Sequence, residues 1–247
     1  MKYKDYFQKL FLLSLFFMLF AGSVQAADER FEKGIIAYNN GLYEEAIDSF
    51  ESLAGEGLSS SLLYNLANSY AQNGQTGMAI LNYERAARLA PGDSDIQGNL
   101  ELLRKEKTLF QEEKTLSQRF VHLFGLDGWT ILAVVGFVAF AVCLLLPPTP
   151  KLKNSTRRIV AVSGLLLTMA SVFGIVGQYR HYHDAVVVAG DAKLRISPFE
   201  SAATSGSIQE GRLLSPGKEH NNYTLVKDET GRSGWLANDA FRSICGR

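Results

Sequence analysis

The chain has 247 residues, of which 47% are apolar and 20% charged, and its 25 acidic and 25 basic side chains cancel. Their distribution is uneven, but no segment outside residues 147–158 is basic enough for a nucleic-acid footprint, and the length allows one or two folded domains. Two cysteines, one (Cys143) inside an apolar run and one (Cys245) near the C-terminus, predict no structural disulfide and leave Cys245 as a free thiol or an interchain partner.

In chain order, residues 1–26 place Lys2, Lys4 and Lys9 ahead of an apolar core from Leu10 to Ala21, followed by small residues at Val24 and Ala26. This pattern predicts a cleaved secretory signal peptide, with an uncleaved third membrane helix as the competing reading.

Residues 27–118 read as all-α. A repeat of 33 residues relates Gly34 to Ala67, Gly41 to Gly74, Ala46 to Ala79 and Phe50 to Tyr83. Small residues let paired helices approach, the glycines suit the turns, and Phe50 and Tyr83 fill the space between hairpins. Pro91-Gly92 stops the fourth helix, and Ser94-Asp95-Ile96-Gln97 has the form of a capping box opening a fifth, through Ile96, Leu100 and Leu103. From Lys105 to Lys114 the helix is charged all round and reads as a solvated spacer.

Residues 119–128 form a short amphipathic stretch, an in-plane interfacial segment with His122 at headgroup level, before Trp129 as a membrane-boundary anchor. Trp129 to Leu146 and Ile159 to Gly177 hold no Asp, Glu, Lys or Arg, and each is long enough to cross a hydrocarbon core of roughly 30 Å. Between them residues 147–158 carry Lys151, Lys153, Arg157 and Arg158 and no acid, which predicts a cytoplasmic turn. Both flanking parts then lie outside the cytoplasm. Ala170 and Gly174 offer a small-residue face for packing the two crossings.

Residues 178–183 read as a linker, in which His181 and His183 lack a third metal ligand. From 184 to 247 five short β-type runs follow: Ala185–Val188, Lys193–Ile196, Ser207–Leu214, Tyr223–Val226 and Gly234–Ala237. They suit a small all-β barrel. No Walker A loop, GxGxxG, HExxH, GxSxG or CxxC occurs, so no catalytic, cofactor-binding or metal-binding residue is predicted and the chain is not read as an enzyme.

Leu63-Tyr64-Asn65-Leu66-Ala67-Asn68-Ser69-Tyr70, with Gly74, Ala79, Tyr83, Ala86 and Pro91, resembles the tetratricopeptide repeat. The first repeat departs from that pattern at Lys33 and lacks a terminal proline. The resemblance implies a groove lined by the first helix of each repeat, with Phe31, Ile35, Tyr38, Tyr64 and Asn68 facing a protein ligand. The basic pairs that clamp a carboxylate in some relatives are absent.

Leu194-Arg195-Ile196-Ser197-Pro198, Glu210-Gly211 and Gly234-Trp235-Leu236 resemble the bacterial SH3-like domain, which implies a non-enzymatic module for protein or cell-wall peptide. Trp235 is its candidate platform, with core packing the competing role. The fold class is therefore a multi-domain membrane protein with tetratricopeptide helical hairpins, a two-helix transmembrane hairpin and a small SH3-like barrel.

The order of these parts resembles the tetratricopeptide membrane proteins of Bat (Bacteroides aerotolerance) operons, the BatE-like group. That resemblance implies an envelope scaffold in the bacterial inner membrane with both folded domains periplasmic. It further implies membrane partners with von Willebrand factor A domains and, indirectly, a MoxR-type ATPase. The alternative is a tethered module that binds peptidoglycan.

Overall fold

The structure, a computed structural model, describes residues 29–109, 115–121, 123–145, 154–180 and 184–245. The predicted signal peptide, most of the basic loop, His122, His181 and His183 lie outside the described residues. The chain divides into two compact units, Met1–Gln75 and Thr76–Arg247.

The first unit contains helix α1 (residues 29–39), α2 (Tyr43–Ala54) and α3 (Ser60–Gln72). Gly41, at φ +76°, ends α1, and the Leu42 amide donates back to the Ala37 carbonyl at 2.9 Å. Gly74, at φ +79°, ends α3 in the same way, with the Gln75 amide donating to Tyr70 O at 2.9 Å. Each glycine supplies the left-handed residue that lets the last helical carbonyls find donors. Ser59 caps the start of α3 by accepting from the Leu62 amide at 3.2 Å. A Cβ at Gly34 would sit 2.6 Å from the fully buried Phe50 ring, so α1 and α2 approach closely because position 34 has no side chain.

The second unit opens with α4 (Thr76–Leu89) and α5 (Ser94–Glu106). The cap of α5 is Asp93, one residue earlier than the expected Ser94; its carboxylate accepts from the Asp95 and Ile96 amides at 3.0 and 3.2 Å. Ile96, Leu100 and Leu103 are buried, as their spacing predicts. The charged helix expected to run on from Lys105 stops at Glu106, because Thr108 takes a left-handed φ of 56° and turns Leu109 inward, where it is 7% exposed.

Helices α6 (Leu116–Val121), α7 (Leu126–Leu145) and α8 (Asn154–Arg180) follow. Helices α7 and α8 are long and apolar enough to cross a membrane. They pack where Gly136 meets Gly164: a Cβ on either would come within 2.8 Å of the other's carbonyl oxygen. Of the expected small-residue pair at Ala170 and Gly174, Gly174 also packs α8 on α7, by making room for the Trp129 indole. Arg157 reaches back from α8 to the carbonyls of Cys143 and Leu144 at 2.5 and 3.5 Å, capping the end of α7.

The β domain has seven strands, two more than expected: β1 (Ala185–Val187), β2 (Ala192–Arg195), β3 (Thr204–Ile208), β4 (Leu213–His220), β5 (Tyr223–Asp228), β6 (Ser233–Ala237) and β7 (Phe241–Ser243). They form one sheet in the order β3-β2-β6-β5-β4-β1-β7, with antiparallel pairing. The run expected over Ser207–Leu214 breaks at Gly211, whose φ of +84° turns the chain from β3 into β4. Val187, Leu194, Ile208, Leu214, Val226 and Leu236 form most of its core. Asp228 closes the β5–β6 turn by accepting from the amides of Thr230 and Arg232 at 3.0 and 2.9 Å.

Candidate protein-interaction surfaces

The five residues expected to face a ligand lie on α1 and α3, and none of them is buried. Phe31, Ile35 and Tyr38 recur at helical spacing on α1, as Tyr64 and Asn68 do on α3, so each set makes one stripe. Phe31 leans on Phe50 with ring centroids 5.6 Å apart, and Tyr38 meets Tyr43 edge-on at the same distance. Burial pushes the Tyr38 phenol above its ordinary value, and Tyr43 and Tyr64 add to the rise. Tyr38 and Tyr64 therefore belong to one cluster. Tyr43, the first residue of α2, was missed because the turn at Gly41 is what brings it to Tyr38.

Residues 60–93 match the tetratricopeptide repeat family. The chain contains a tetratricopeptide repeat. No curated protein matches the sequence. The repeat is a protein-interaction module and generally not a catalytic one. Among the described residues no group of three or more His, Cys, Asp or Glu could hold a metal ion.

Trp235 lies on β6 and is half-buried. His220 meets it edge-on at 6.4 Å, and Phe199, 55% exposed, meets His220 at 5.9 Å. The sequence signal for this trio was weak: Phe199 comes from a loop and His220 from the far end of β4, and only the sheet brings them together.

In the second unit the repeat helix α4 and the β domain share a seam. The Gly77 amide at the start of α4 donates to the Glu210 carboxylate at 2.6 Å, and a Cβ at Gly77 would meet the Val187 carbonyl oxygen at 2.5 Å. Arg85 donates to the carbonyls of Ile244 and Ser243 at 3.0 and 2.8 Å, and Arg88 to the Cys245 sulfur at 2.8 Å. Gln209 donates to the carbonyl of Lys107 at 2.9 Å. Such an arrangement satisfies amides at the start of a helix with an acid and chain-end carbonyls with guanidinium groups.

Charges gather at the same seam. Arg104 pairs with Glu84 at 3.0 Å, and Arg232 with the buried Asp228 at 2.8 Å. Burial works against the Asp228 carboxylate, but hydrogen bonds from Thr230 and Arg232 and the Arg232 charge hold it below the ordinary range. Glu229 goes the other way: burial pushes it up, beyond what Arg104, the Leu213 amide and Arg212 offset, and Glu84 adds to the rise.

A carboxyl raised on folding stabilises the fold below its unfolded pKa, and that contribution is lost as pH rises through the folded value. Glu229→Gln should therefore raise the melting temperature at pH 8 and leave it nearly unchanged at pH 4. Equal melting at both pH values would show that Glu229 is not held in this environment.

Proposed function

We propose that the chain is a non-enzymatic, membrane-anchored envelope scaffold that holds a protein partner against the tyrosine stripe of its tetratricopeptide helices. The observation that carries this reading is the coincidence of the matched repeat at residues 60–93 with half-exposed Tyr64 and Asn68, beside Tyr38. Helices α7 and α8 are read as a transmembrane hairpin in the inner membrane, turning in the cytoplasm at Lys151, Lys153, Arg157 and Arg158. Both folded parts then face the periplasm, delivered there by a signal peptide at residues 1–26.

The β domain is read as SH3-like, and the order of parts supports membership of a Bat-type aerotolerance or stress complex. Its partners would be membrane proteins with von Willebrand factor A domains. A MoxR-type ATPase would reach only the 147–158 loop. A second reading, docking on peptidoglycan, is favoured by one feature, the Phe199, His220 and Trp235 cluster, whose ring faces suit sugar or peptide stacking.

Orientation is tested with an impermeant maleimide on full-length protein in cells with a permeabilised outer membrane. Cys245 is a poor reporter because it is half-buried against Arg88. In a Cys143→Ser, Cys245→Ser background, Ser201→Cys on an exposed β-domain turn should label in intact cells, and Ser155→Cys only after lysis. The reverse pattern would refute the periplasmic scaffold and the wall-binding reading together.

A further inference from the structure

Trp129 was expected to anchor the first crossing in the headgroup layer, yet it is 2% exposed and lies under α6. Its ring lies between Phe120, tilted, and Phe124, edge-on, each with centroids 5.1 Å away, and Phe120 reaches on to Phe173 of α8 at 6.2 Å. Two glycines of α8 make this closeness feasible: a Cβ at Gly174 would overlap the indole at 2.5 Å, and one at Gly177 would overlap Val121 at 2.5 Å. Helix α6 is thus clamped across one end of the α7–α8 pair.

A six-residue helix leaves its last carbonyls without helical partners. Here the last of them, Val121 O, is met from within, as is Phe124 O just beyond the helix. The Trp129 indole N–H donates to Val121 O at 2.9 Å, and the Gln178 amide donates to Val121 O and Phe124 O at 2.9 and 2.5 Å. At the other end Thr115 and Gln118 form a reciprocal capping box: Gln118 Oε1 accepts from the Thr115 amide at 2.7 Å and the Gln118 amide donates to Thr115 Oγ1 at 3.4 Å. Backbone groups satisfied in this way need no water, which is the condition a segment must meet to enter hydrocarbon.

Outward from the clamp, Leu116, Leu123 and Phe124 are 82%, 58% and 45% exposed. The surface of α7 and α8 is likewise bare and apolar, with Ile131, Val135 and Phe173 more than half exposed. In water such a surface is costly, at about 25 cal/mol for each Å² left uncovered. Arg119, also exposed, supplies a cation at headgroup height.

We propose that the α6–α7 elbow is seated in the headgroup–acyl boundary of the bilayer, with Leu116, Leu123 and Phe124 inserted among the lipid chains. This rests on the membrane reading of α7 and α8 and adds a second, in-plane contact to it. The clamp then fixes the height at which α4 and α5 stand above the bilayer, since the Gly125 turn lies beside Arg88 and Pro91.

Full-length protein in the Cys143→Ser, Cys245→Ser background is reconstituted in phosphatidylethanolamine–phosphatidylglycerol vesicles, and nitroxide labels are placed singly at Leu116→Cys, Leu123→Cys, Val138→Cys and Ser201→Cys. Collision with oxygen reports lipid, and collision with a water-soluble nickel complex reports solvent. The elbow labels should favour oxygen several-fold over the Ser201 label and approach the Val138 label. Elbow labels that match Ser201 while Val138 reads as lipid would overturn the elbow proposal alone. If Val138 also reads as solvent, the membrane reading falls and the elbow with it.

Discussion

Valine at position 211 should lower the stability of the β domain by about 2–5 kcal/mol. Gly211 holds a φ of +84°, where a side chain costs roughly 1–2 kcal/mol. A Cβ there would also sit 2.5 Å from Ile80 and 2.9 Å from Leu109, and overpacking of this kind costs about 1–3 kcal/mol more. Relief requires the turn to back away from α4, which strains the Gly211 amide's 2.8 Å bond to Val187 O and the neighbouring Glu210 contact with Gly77. In thermal unfolding of the full chain in detergent, the β-domain transition should fall by roughly 8–40 °C. Gly190→Ala is the control, because nothing lies within 4 Å of a Cβ there and it should change stability by no more than about 0.5 kcal/mol. Wild-type melting by Gly211→Val would show that the seam is not formed.

What the sequence revealed, and what it hid, divides along the distance over which each feature is made. Gly41 and Gly74 were legible as turns because a left-handed residue after a helix is a local demand that glycine meets. The stripes at Phe31, Ile35 and Tyr38 and at Tyr64 and Asn68 were legible for the same reason, since spacing along one helix fixes which side chains share a face. Strand β7 is only three residues long and pairs with β1 across most of the domain, so nothing near Phe241 announces it. Arg85 gripping the Ser243 and Ile244 carbonyls is likewise a contact between residues some 158 positions apart. Trp129 carried a true signal but hid its neighbours: an aromatic at the end of an apolar run suits a headgroup layer, and only the fold shows that Gly174 and Gly177 give α6 a seat that covers it.

Removing both tyrosines from the stripe should weaken partner capture by orders of magnitude while leaving the fold intact. Tyrosine is enriched among interface residues whose truncation costs about 2 kcal/mol or more, and tenfold in affinity corresponds to about 1.4 kcal/mol. Tyr38→Ala with Tyr64→Ala should then weaken binding on the order of 10²–10³-fold. Neither ring is fully buried, so helical content and melting should change little. Tyr38→Phe keeps the edge-on packing against Tyr43 and separates the contribution of the ring from that of the hydroxyl.

The decisive measurement is photocrosslinking in native membranes from full-length protein carrying a photoreactive residue at Asn68 in the stripe or at exposed Asp48 on α2. A partner held by the tyrosine stripe gives a discrete adduct from position 68, none from position 48, and none from position 68 once Tyr38 and Tyr64 are alanine. An adduct that survives both alanines, or no adduct from position 68 at all, would contradict a scaffold that works through this groove.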